Sequence, residues 1–390
     1  MSLIAELQER GLIQDIMPGT EEQLMKEMTS AYIGFDPTAD SLHVGSLLPI
    51  TLLMRLQRAG HKPYALVGGA TGMVGDPSGK SAERNLLDID TIQRNCDGIR
   101  RQLEQFLSFD ETLPNAAVMV NNYDWFKSFS FLEFIRDVGK YITVNYMMSK
   151  DSVQKRLETG MSFTEFTYQL IQGYDFFHLY HHHGVKLQMG GADQWGNITT
   201  GNEMIRKKGG GDTFAFTCKL VTKADGTKFG KSEGGNVWLD REKTSPYQFY
   251  QFWLNLPDAD AARMALIFSF RPVAELKEMI AAHETNPGAR ALQKALAEEM
   301  TVLVHGEEDV IAAKRATELL FGQASIETLQ ALNERQLLEA MEGVKQVTGS
   351  MADLEAGVEL LGFLAEKGVL PSKGEARKMV QAGGIGINKQ

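Results

Sequence analysis

Two short stretches, far apart in the chain, contain residues suited to binding a polyanion. His43-Val44-Gly45-Ser46 lies where a short strand leads into a predicted helix, and Lys228-Phe229-Gly230-Lys231-Ser232 lies in a glycine-rich loop. N–H groups and the dipole at a helix start favour anions, and a hinged loop can bring lysines towards a leaving pyrophosphate. Together the stretches predict a nucleotide triphosphate site that is closed from two sides. Taken singly, the histidine could be a capping or surface residue, and the loop a solvated hairpin.

A third group of polar residues lies on one predicted helix. Tyr168, Gln172 and Asp175 stand at positions i, i+4 and i+7, so they project from one face. The remainder of this helix is rich in Phe, Leu and Ile, and the stripe could face either a binding cavity or solvent. Asp76 ends a glycine-rich loop and could add a carboxylate that pairs with a substrate ammonium group.

Three other chemistries are disfavoured by spacing. Gly79-Lys80-Ser81 would need a glycine five residues before Gly79 to form a P-loop, and that position is Val74. No G-x-G-x-x-G follows the first strand, which disfavours a dinucleotide dehydrogenase. His181-His182-His183 are consecutive, so they cannot all face one ion from a helix, and no CxxC or HExxH pattern accompanies them. We interpret these histidines as a polar helix end and predict no protein-bound metal.

Composition narrows the class of protein. The 390 residues are 43% hydrophobic and carry a net charge of -10, which predicts a globular chain of several domains in which any RNA binding is local. Cys96 and Cys218 are too few for a disulfide framework, which favours a reducing, cytoplasmic setting. No apolar run reaches the ~20 residues that span a bilayer, and residues 1–16 do not resemble a secretory signal. We therefore expect no membrane association.

The first half of the chain alternates between predicted strands and helices. Residues 3–16 predict one amphipathic helix, and a second begins at Thr20 after the Pro18-Gly19 turn. The next strands are expected at 31–36, 62–68, 116–120 and 185–189, and the next helices at 43–58, 88–107 and Phe163–His183. This order predicts an α/β fold with a doubly wound parallel, Rossmann-like sheet. Ligands of such sheets bind at the carboxyl ends of the strands.

Beyond the sheet the sequence becomes helical. We expect a Rossmann-like catalytic domain over 1–222 and a mobile lysine loop with its connection over 223–245. Leucine and alanine at helical spacing predict an all-helical domain over 246–322, and 323–350 is interpreted as a linker. A separate small domain is expected over 351–390.

These motifs jointly resemble one family, the bacterial tyrosyl-tRNA synthetases, which are class I aminoacyl-tRNA synthetases. His43-Val44-Gly45-Ser46 stands where the family has its HIGH signature, with Ser46 in place of the second histidine, and 228–232 stands where it has KMSKS. The resemblance covers nearly the whole chain. The other similar segments are 32–38, 67–78, 121–125 and 190–197. Residues 351–390 resemble the first half of the RNA-binding domain named after ribosomal protein S-four.

The resemblance implies a role for individual residues. Tyr32 and Asp175 would bind the phenol of tyrosine, and Asp76, Tyr168 and Gln172 its α-ammonium group. The other residues implied at the tyrosine site are Asp36, Gln188 and Gln194. Those implied in stabilising the triphosphate are His43, Thr38, Lys228, Lys231 and Ser232. Those implied in binding the rest of ATP are Gly45, Ser46, Gly191 and Asp193. Lys80 and Arg84 would contact phosphate or the tRNA end.

The implied activity is that of a tyrosine–tRNA ligase, with L-tyrosine, ATP accompanied by Mg²⁺, and tRNA(Tyr) as partners and no permanently bound cofactor. No residue needs to be a nucleophile, because the tyrosine carboxylate attacks the α-phosphorus and the protein supplies positioning and charge stabilisation. The family also implies a homodimer with its contact region near 123–160. The alternatives are a tryptophanyl-tRNA synthetase, which Tyr32 and Asp175 disfavour, and an inactive RNA-binding relative, which the lysine loop disfavours.

Overall fold

The structure is a computed structural model that describes residues 2–78, 87–156, 160–232, 235–322, 329–342, 344 and 346–386, with backbone only at 231, 232, 353 and 354. A six-stranded sheet has the order β1-β6-β5-β2-β3-β4, and β7 pairs with β8 in a separate ribbon. The strands are β1 Ile13–Ile16, β2 Ser30–Phe35, β3 Lys62–Val67, β4 Val118–Asn121, β5 Leu187–Gly191, β6 Phe214–Cys218, β7 Lys231–Ser232 and β8 Gly235–Asn236.

The α-helices surround the sheet and continue beyond it. In chain order they are α1 Leu3–Glu9, α2 Thr20–Lys26, α3 Leu47–Arg58, α4 Thr71–Val74, α5 Ile89–Phe106, α6 Tyr123–Phe126, α7 Phe131–Asp137, α8 Val144–Met148, α9 Asp151–Gln154, α10 Phe163–His183, α11 Trp195–Lys207, α12 Pro246–Leu254, α13 Asp258–Phe268, α14 Val273–Thr285, α15 Ala291–His305, α16 Glu307–Phe321, α17 Glu334–Ala340, α18 Met351–Ala356, α19 Leu360–Glu366 and α20 Lys373–Gln381. Short 3₁₀ helices lie at Val44–Ser46, Gly139–Tyr141, Ala192–Gln194 and Pro287–Ala289. No helix in the described ranges combines the length and apolarity needed to cross a bilayer.

The sheet has one point where chain order reverses. From β2 the chain moves outward through β3 and β4, whereas β5 and β6 lie on the other side of β2, and all of these strands are parallel. Tyr32 in β2 is in register with Gln188 in β5 and with Tyr64 in β3. Ligands of open α/β sheets bind at such a reversal, outside the carboxyl ends of the strands. The predicted parallel, Rossmann-like fold is confirmed.

The beginning of the chain departs from the prediction. Helix α1 ends at Glu9, and Ile13–Ile16 forms an edge strand that pairs antiparallel with β6. The predicted helix over 3–16 was wrong because pairing with a strand some 200 residues later overrides the local apolar spacing. By contrast, α10 has the predicted bounds, because Ser162 caps its start and Gly184 ends it in the left-handed conformation, with φ of 66°.

The hydrophobic core beside the reversal point is built from strand and helix residues. Tyr32 packs against Phe176 of α10 with 5.5 Å between ring centroids, and both side chains are fully buried. The other buried members of this cluster are Tyr64, Leu66, Leu179, Val185 and Ile205. A helix packed this tightly on the sheet fixes the direction of its polar stripe.

The described chain divides into two compact units. One comprises 1–244 with 252–304 and contains both sheets, and the other comprises 245–251 with 305–390 and is helical. The segment 246–322, expected from sequence as one helical domain, is shared between these units. The second unit has its own apolar cluster of Ala312, Ala316, Leu332 and Ala340.

Candidate active site

A cavity of about 590 Å³ lies at the carboxyl ends of β2 and β5. Thirteen of the residues proposed from sequence line this one cavity, although they come from five separate segments of the chain. They are Tyr32, Asp36, His43, Gly45, Asp76, Tyr168, Gln172, Asp175, Gln188, Gly191, Asp193, Gln194 and Lys228. The stripe on α10 therefore faces a binding cavity and not solvent.

One end of the cavity is formed by two buried polar groups. Within the described residues the Tyr32 hydroxyl has no hydrogen-bond partner, although this side chain is 1% exposed. The Asp175 carboxylate accepts hydrogen bonds from Trp125 Nε1 at 2.9 Å and from Asn122 Nδ2 at 3.1 Å. A buried hydroxyl without a partner is costly, so this end of the cavity is suited to a ligand that supplies the missing hydrogen bond.

Burial changes the acidity of both groups. It raises the pKa of Asp175 to about 8, with a smaller upward contribution from Asp36, against the lowering effect of the hydrogen bonds from Asn122 and Trp125. Burial, and then the negative charge of Asp175, hold the pKa of Tyr32 well above its ordinary value. The Tyr32 hydroxyl thus remains a hydrogen-bond donor at every physiological pH.

A hydrogen-bond network joins this end of the cavity to its middle. Asn122 is fully buried and donates to Asp175 and to Thr71 Oγ1, while its own oxygen accepts from the Ala70 N–H. Thr71 in turn donates to Asp36 at 2.7 Å, and the Tyr168 hydroxyl donates to the other Asp36 oxygen at 2.8 Å. Both carboxylates are therefore held in place before any ligand enters.

A second network holds Asp76. Its oxygens accept hydrogen bonds from Gln194 Nε2 at 2.7 Å, the Ser78 N–H at 2.9 Å and Asn197 Nδ2 at 3.5 Å. Asn197 also donates to Ser78 Oγ and to Gln194 Oε1. Asp76 and Asn197 are both buried, so the Asp76 carboxyl group is held in a fixed position on the cavity wall.

The other end of the cavity lies at the start of the Val44–Ser46 turn that leads into α3. His43 Nδ1 accepts a hydrogen bond from the Gly45 N–H at 2.9 Å, which in the neutral ring places the proton on Nε2. A Cβ at Gly45 would lie 2.6 Å from the His43 ring, so only glycine allows this cap. The geometry keeps the backbone open to a bulky anion at a helix start.

The lysine loop lies directly on this turn. A Cβ at Gly230 would meet the Gly45 nitrogen at 2.9 Å, and Gly230 has φ of 88°, so the two motifs touch through their glycines. Val237 N–H donates to the Gly230 carbonyl, and Val44 N–H donates to the Val237 carbonyl. Lys228 is exposed and lines the cavity. The two motifs that are 185 positions apart in the chain thus bound one site.

Several predicted residues are placed elsewhere or lie outside the description. Thr38 is exposed and does not line the cavity, and the Ser46 hydroxyl accepts from the His43 N–H as part of the cap. Lys231 and Ser232 lie in β7, where their side chains are not described. Lys80 and Arg84 lie outside the described residues.

The structure adds positions that sequence reasoning did not assign. Asn122 and Trp125 follow the carboxyl end of β4 and hold Asp175, and Asn197 lies three positions after Gln194 on α11. Polar residues directly after a strand were the available signal for the first two. The triple histidine is part of an aromatic stack in which His181 lies on Phe177. Among the described residues, no three His, Cys, Asp or Glu side chains are grouped to hold a metal ion.

Comparison with known proteins agrees with this geometry. Residues 25–322 match the family described as tRNA synthetases class I (W and Y). The whole chain is 58% identical to a tyrosine–tRNA ligase of Parabacteroides distasonis, of which it covers 92%, and equally identical to that of Bacteroides thetaiotaomicron, with the same coverage. The crystal structure of a C-terminally truncated Aspergillus nidulans mitochondrial tyrosyl-tRNA synthetase is similar over 82% of this chain and 94% of its own, with 30% identity and a TM-score of 0.71.

Residues 25–322 match the class I aminoacyl-tRNA synthetases that act on tryptophan and tyrosine, so the chain belongs to that family, and its parallel sheet with a cavity at the reversal point agrees with this. Within the family, these relatives with 58% identity over the full chain are tyrosine–tRNA ligases. The family expected from the sequence is confirmed.

Proposed function

We propose that the cavity joins tyrosine to tRNA through an adenylate. The protein is a tyrosine–tRNA ligase: it activates L-tyrosine with ATP to give tyrosyl-adenylate and pyrophosphate, then transfers tyrosine to the 3′-terminal adenosine of tRNA(Tyr). In the first step the tyrosine carboxylate attacks the α-phosphorus, an oxygen–phosphorus bond forms, and pyrophosphate leaves with the electron pair. The protein contributes position and charge stabilisation, and no covalent enzyme intermediate is required.

The observation that carries this proposal is the pair of buried groups, Tyr32 and Asp175, at one end of the cavity, which we call the phenol end. A phenol can accept a hydrogen bond from the Tyr32 hydroxyl, which lacks a partner within the described residues, and donate one to the Asp175 carboxylate. The indole of tryptophan has one donor and no acceptor, so it would leave the Tyr32 hydroxyl unpaired. Phenylalanine would leave the Tyr32 hydroxyl unpaired and would offer Asp175 no donor, which makes this end of the cavity selective for tyrosine.

The rest of the amino acid is bound further along the cavity. Asp76 supplies the negative charge for the α-ammonium group, and Tyr168 and Gln172 complete its hydrogen bonds, while Asp36 orients Tyr168. The substrate carboxylate lies near Gln194 and the buried Gln188, whose Oε1 has no partner among the described groups. This arrangement directs the attacking oxygen towards the opposite end of the cavity, beside His43, which we call the nucleotide end.

ATP enters as its Mg²⁺ complex at the open end of the cavity. His43, Lys228, Lys231, Ser232 and Thr38 stabilise charge on the triphosphate. The open backbone at Gly45, with Ser46 beside it, admits the nucleotide, and Asp193 and the Gly191 backbone bind the ribose. Support for His43, Gly45, Gly191, Asp193 and Lys228 comes from the cavity that they share and from the contact between the two motifs. The roles of Thr38, Ser46, Lys231 and Ser232 rest on the family resemblance alone.

We also propose that the protein acts as a homodimer through the region 123–160. Apolar side chains on α7 and α8 are exposed there, which is unusual for a monomer surface. They are Phe131, Leu132, Ile135 and Val144. Sedimentation velocity tests this, because Leu132→Asp, at the most exposed of these four side chains, would convert a dimer to a monomer. Both cysteine thiols are free and buried, which is consistent with a cytoplasmic location.

Pyrophosphate exchange into ATP, with each amino acid supplied in turn, tests the proposed function. Exchange with tyrosine alone is the expected result, and charging of tRNA(Tyr) should follow when tRNA is added. Exchange with tryptophan and not tyrosine would assign the chain to the other half of the family. Absence of exchange with every amino acid would favour a protein that binds RNA without catalysis. If Lys80 and Arg84 contact tRNA, replacing either with alanine should slow tRNA charging and leave pyrophosphate exchange unchanged.

A further inference from the structure

The lysine loop begins with a tight hairpin, residues 222–228, which we call the lysine hairpin. Lys223 N–H donates to the Thr227 carbonyl at 2.8 Å, Asp225 accepts from the Thr227 N–H and hydroxyl, and Gly226 has φ of 83° at the turn. Thr222 pairs with Lys228 across the hairpin. The position of Lys228 relative to the cavity therefore depends on what holds the hairpin as a whole.

The start of α13 holds this hairpin from outside the cavity. Asp260, which is 2% exposed, accepts a hydrogen bond from the Ala224 N–H at 2.8 Å. Arg263, one turn later, forms an ion pair with Asp260 at 3.2 Å and donates to the Thr222 carbonyl. Two residues of one helix thus bind both the first strand of the hairpin and its turn.

The end of the same helix binds the next part of the loop. Phe229 directly follows Lys228 in the loop that the sequence predicts to be mobile, yet its side chain is buried. Its ring lies 5.7 Å from that of Phe268, stacked, and 5.3 Å and 5.6 Å from Phe252 and Trp253. Aromatic packing of this kind favours one loop position over others.

Helix α13 is in turn fixed to the helix that follows the histidine motif. Arg55 of α3 donates to the Ser269 carbonyl at 2.6 Å, and Arg10 donates to the Ser269, Leu266 and Arg271 carbonyls. These arginines bind carbonyls in the last turn of α13 and in the segment directly after it, where helical hydrogen bonds end. Helix α3, which follows the histidine motif, and the lysine hairpin are therefore both held by contacts with α13 or with the segment directly after it.

We propose that Asp260 is a positioning residue for the nucleotide end of the site: it holds the lysine hairpin on α13 so that Lys228 faces the triphosphate. The proposal rests on the proposed function for its kinetic consequence. Asp260 itself does not line the cavity, so it acts through the Ala224 N–H and through Arg263. Without it, the hairpin samples other positions and Lys228 reaches the triphosphate less often.

The first test compares Asp260→Ala, Asp260→Asn and the control Glu275→Ala in the full-length protein. Glu275 is also an acidic residue in the first turn of a helix of the same unit, but it pairs with Arg271 and not with the loop. In pyrophosphate exchange, Asp260→Ala should lower kcat by about tenfold through loss of positioning, with the tyrosine Kd within about twofold of wild type. Asp260→Asn should recover most of the rate, because its amide oxygen can still accept from Ala224.

The second test measures the hairpin without catalysis. Trypsin cleaves after lysine, and Lys223 and Lys228 both lie in the hairpin. Cleavage at these two sites should become several-fold faster in Asp260→Ala and in Arg263→Ala, and stay at the wild-type rate in Glu275→Ala. Arg263 is partly exposed, so its replacement tests the same contact with little risk to folding.

Two results would overturn the proposal. One is an unchanged cleavage rate in both variants that lack the contact. The other is an equal loss of tyrosine affinity and of exchange rate in Asp260→Ala, because general damage to the fold, and not the hairpin, would then explain the effect. Absence of exchange in the wild-type protein would reject the proposed function instead, and the cleavage rates would still decide whether Asp260 holds the hairpin.

Discussion

The two ends of the cavity differ in the burial of their polar groups and in the contacts that hold those groups. At the phenol end, Tyr32 and Asp175 are buried, and the carboxylate is held by Asn122 and Trp125 before a ligand arrives. At the nucleotide end, Lys228 is exposed on a hairpin that is held by a few contacts with α13. A fixed, desolvated site can reject the wrong amino acid, whereas charge stabilisation during pyrophosphate departure needs cations that can approach and withdraw.

The largest effect should come from Asp175→Ala, which removes the acceptor at the fixed end. In the proposed function, the change deletes the hydrogen bond to the phenol, and it leaves the Trp125 N–H and one Asn122 N–H unpaired in the cavity wall. Each such loss costs roughly 1–3 kcal/mol, so kcat/KM for tyrosine should fall about 10³-fold while the ATP Kd changes little. Pyrophosphate exchange and equilibrium dialysis measure the two quantities.

Gln169→Ala is the matched control for this variant. Gln169 is also a buried polar residue of α10 but does not line the cavity. It should leave tyrosine affinity near the wild-type value. Equal losses of tyrosine and ATP binding in Asp175→Ala would count against the phenol role and against the division between the two ends.

The next largest effect should come from the nucleotide end. In the proposed function, Lys228→Ala removes a cation that stabilises the leaving pyrophosphate, and loss of one such donor costs about 10²-fold in kcat. Lys223→Ala removes the same charge from the same hairpin at a position that does not line the cavity, so it should retain at least half of the rate. Stopped-flow or quenched-flow measurement of adenylate formation checks both. A loss in tyrosine affinity that matches the loss in rate would show that the two ends are not separable.

The sequence predicted the phenol end and the nucleotide end for different reasons. On α10 the helical period alone placed Tyr168, Gln172 and Asp175 on one face, and the structure puts all three in the cavity. The histidine and lysine motifs were expected to meet because a helix start and a hinged lysine loop are both suited to one triphosphate. Their specific roles came from resemblance to the family, and those roles remain predictions.

Long-range contacts limited what the sequence could predict. Residues 13–16 continue an apolar helical spacing, and only pairing with β6 makes them a strand. Asn122 and Asn197 hold two carboxylates through contacts that span 53 and 121 positions, so no local window contains both partners. The same is true of Asp260 and the hairpin that it contacts 36 positions earlier. Local periodicity predicts which face of an element is polar, but not which distant group occupies that face.

Tyr32→Phe should have a smaller effect: it should make the unliganded protein more stable and weaken tyrosine binding. The hydroxyl is buried without a partner among the described residues, so removing it should raise the free energy of unfolding of the unliganded protein by up to about 1 kcal/mol. In the proposed function the same change removes a hydrogen bond to the phenol, so the tyrosine Kd should rise about tenfold. Thermal unfolding without ligand and equilibrium dialysis measure the two effects.

Tyr64→Phe is the control for this variant. Tyr64 is in register with Tyr32 on the neighbouring strand and is buried, but it does not line the cavity. It should leave the tyrosine Kd unchanged. A Tyr32→Phe protein that loses stability without losing affinity would show that the hydroxyl serves the fold and not the ligand.

The smallest effect is a pH dependence of the tyrosine Kd, which should arise only from the phenol end. Burial raises the pKa of Asp175 to about 8, so in the empty cavity at neutral pH most of this carboxyl is protonated. A phenol that donates its proton in a hydrogen bond binds the ionised form, so tyrosine affinity should increase as pH rises towards 8. Since about one carboxyl in eleven is ionised at pH 7 and about half at pH 8, the tyrosine Kd should fall about fivefold between them. Asp175→Asn should abolish this slope, and the ATP Kd should lack it, because the nucleotide end does not contact Asp175. A tyrosine Kd that rises with pH would mean that a protonated Asp175 donates to the phenol oxygen, which would reverse the direction of the hydrogen bond on which selectivity at this end depends.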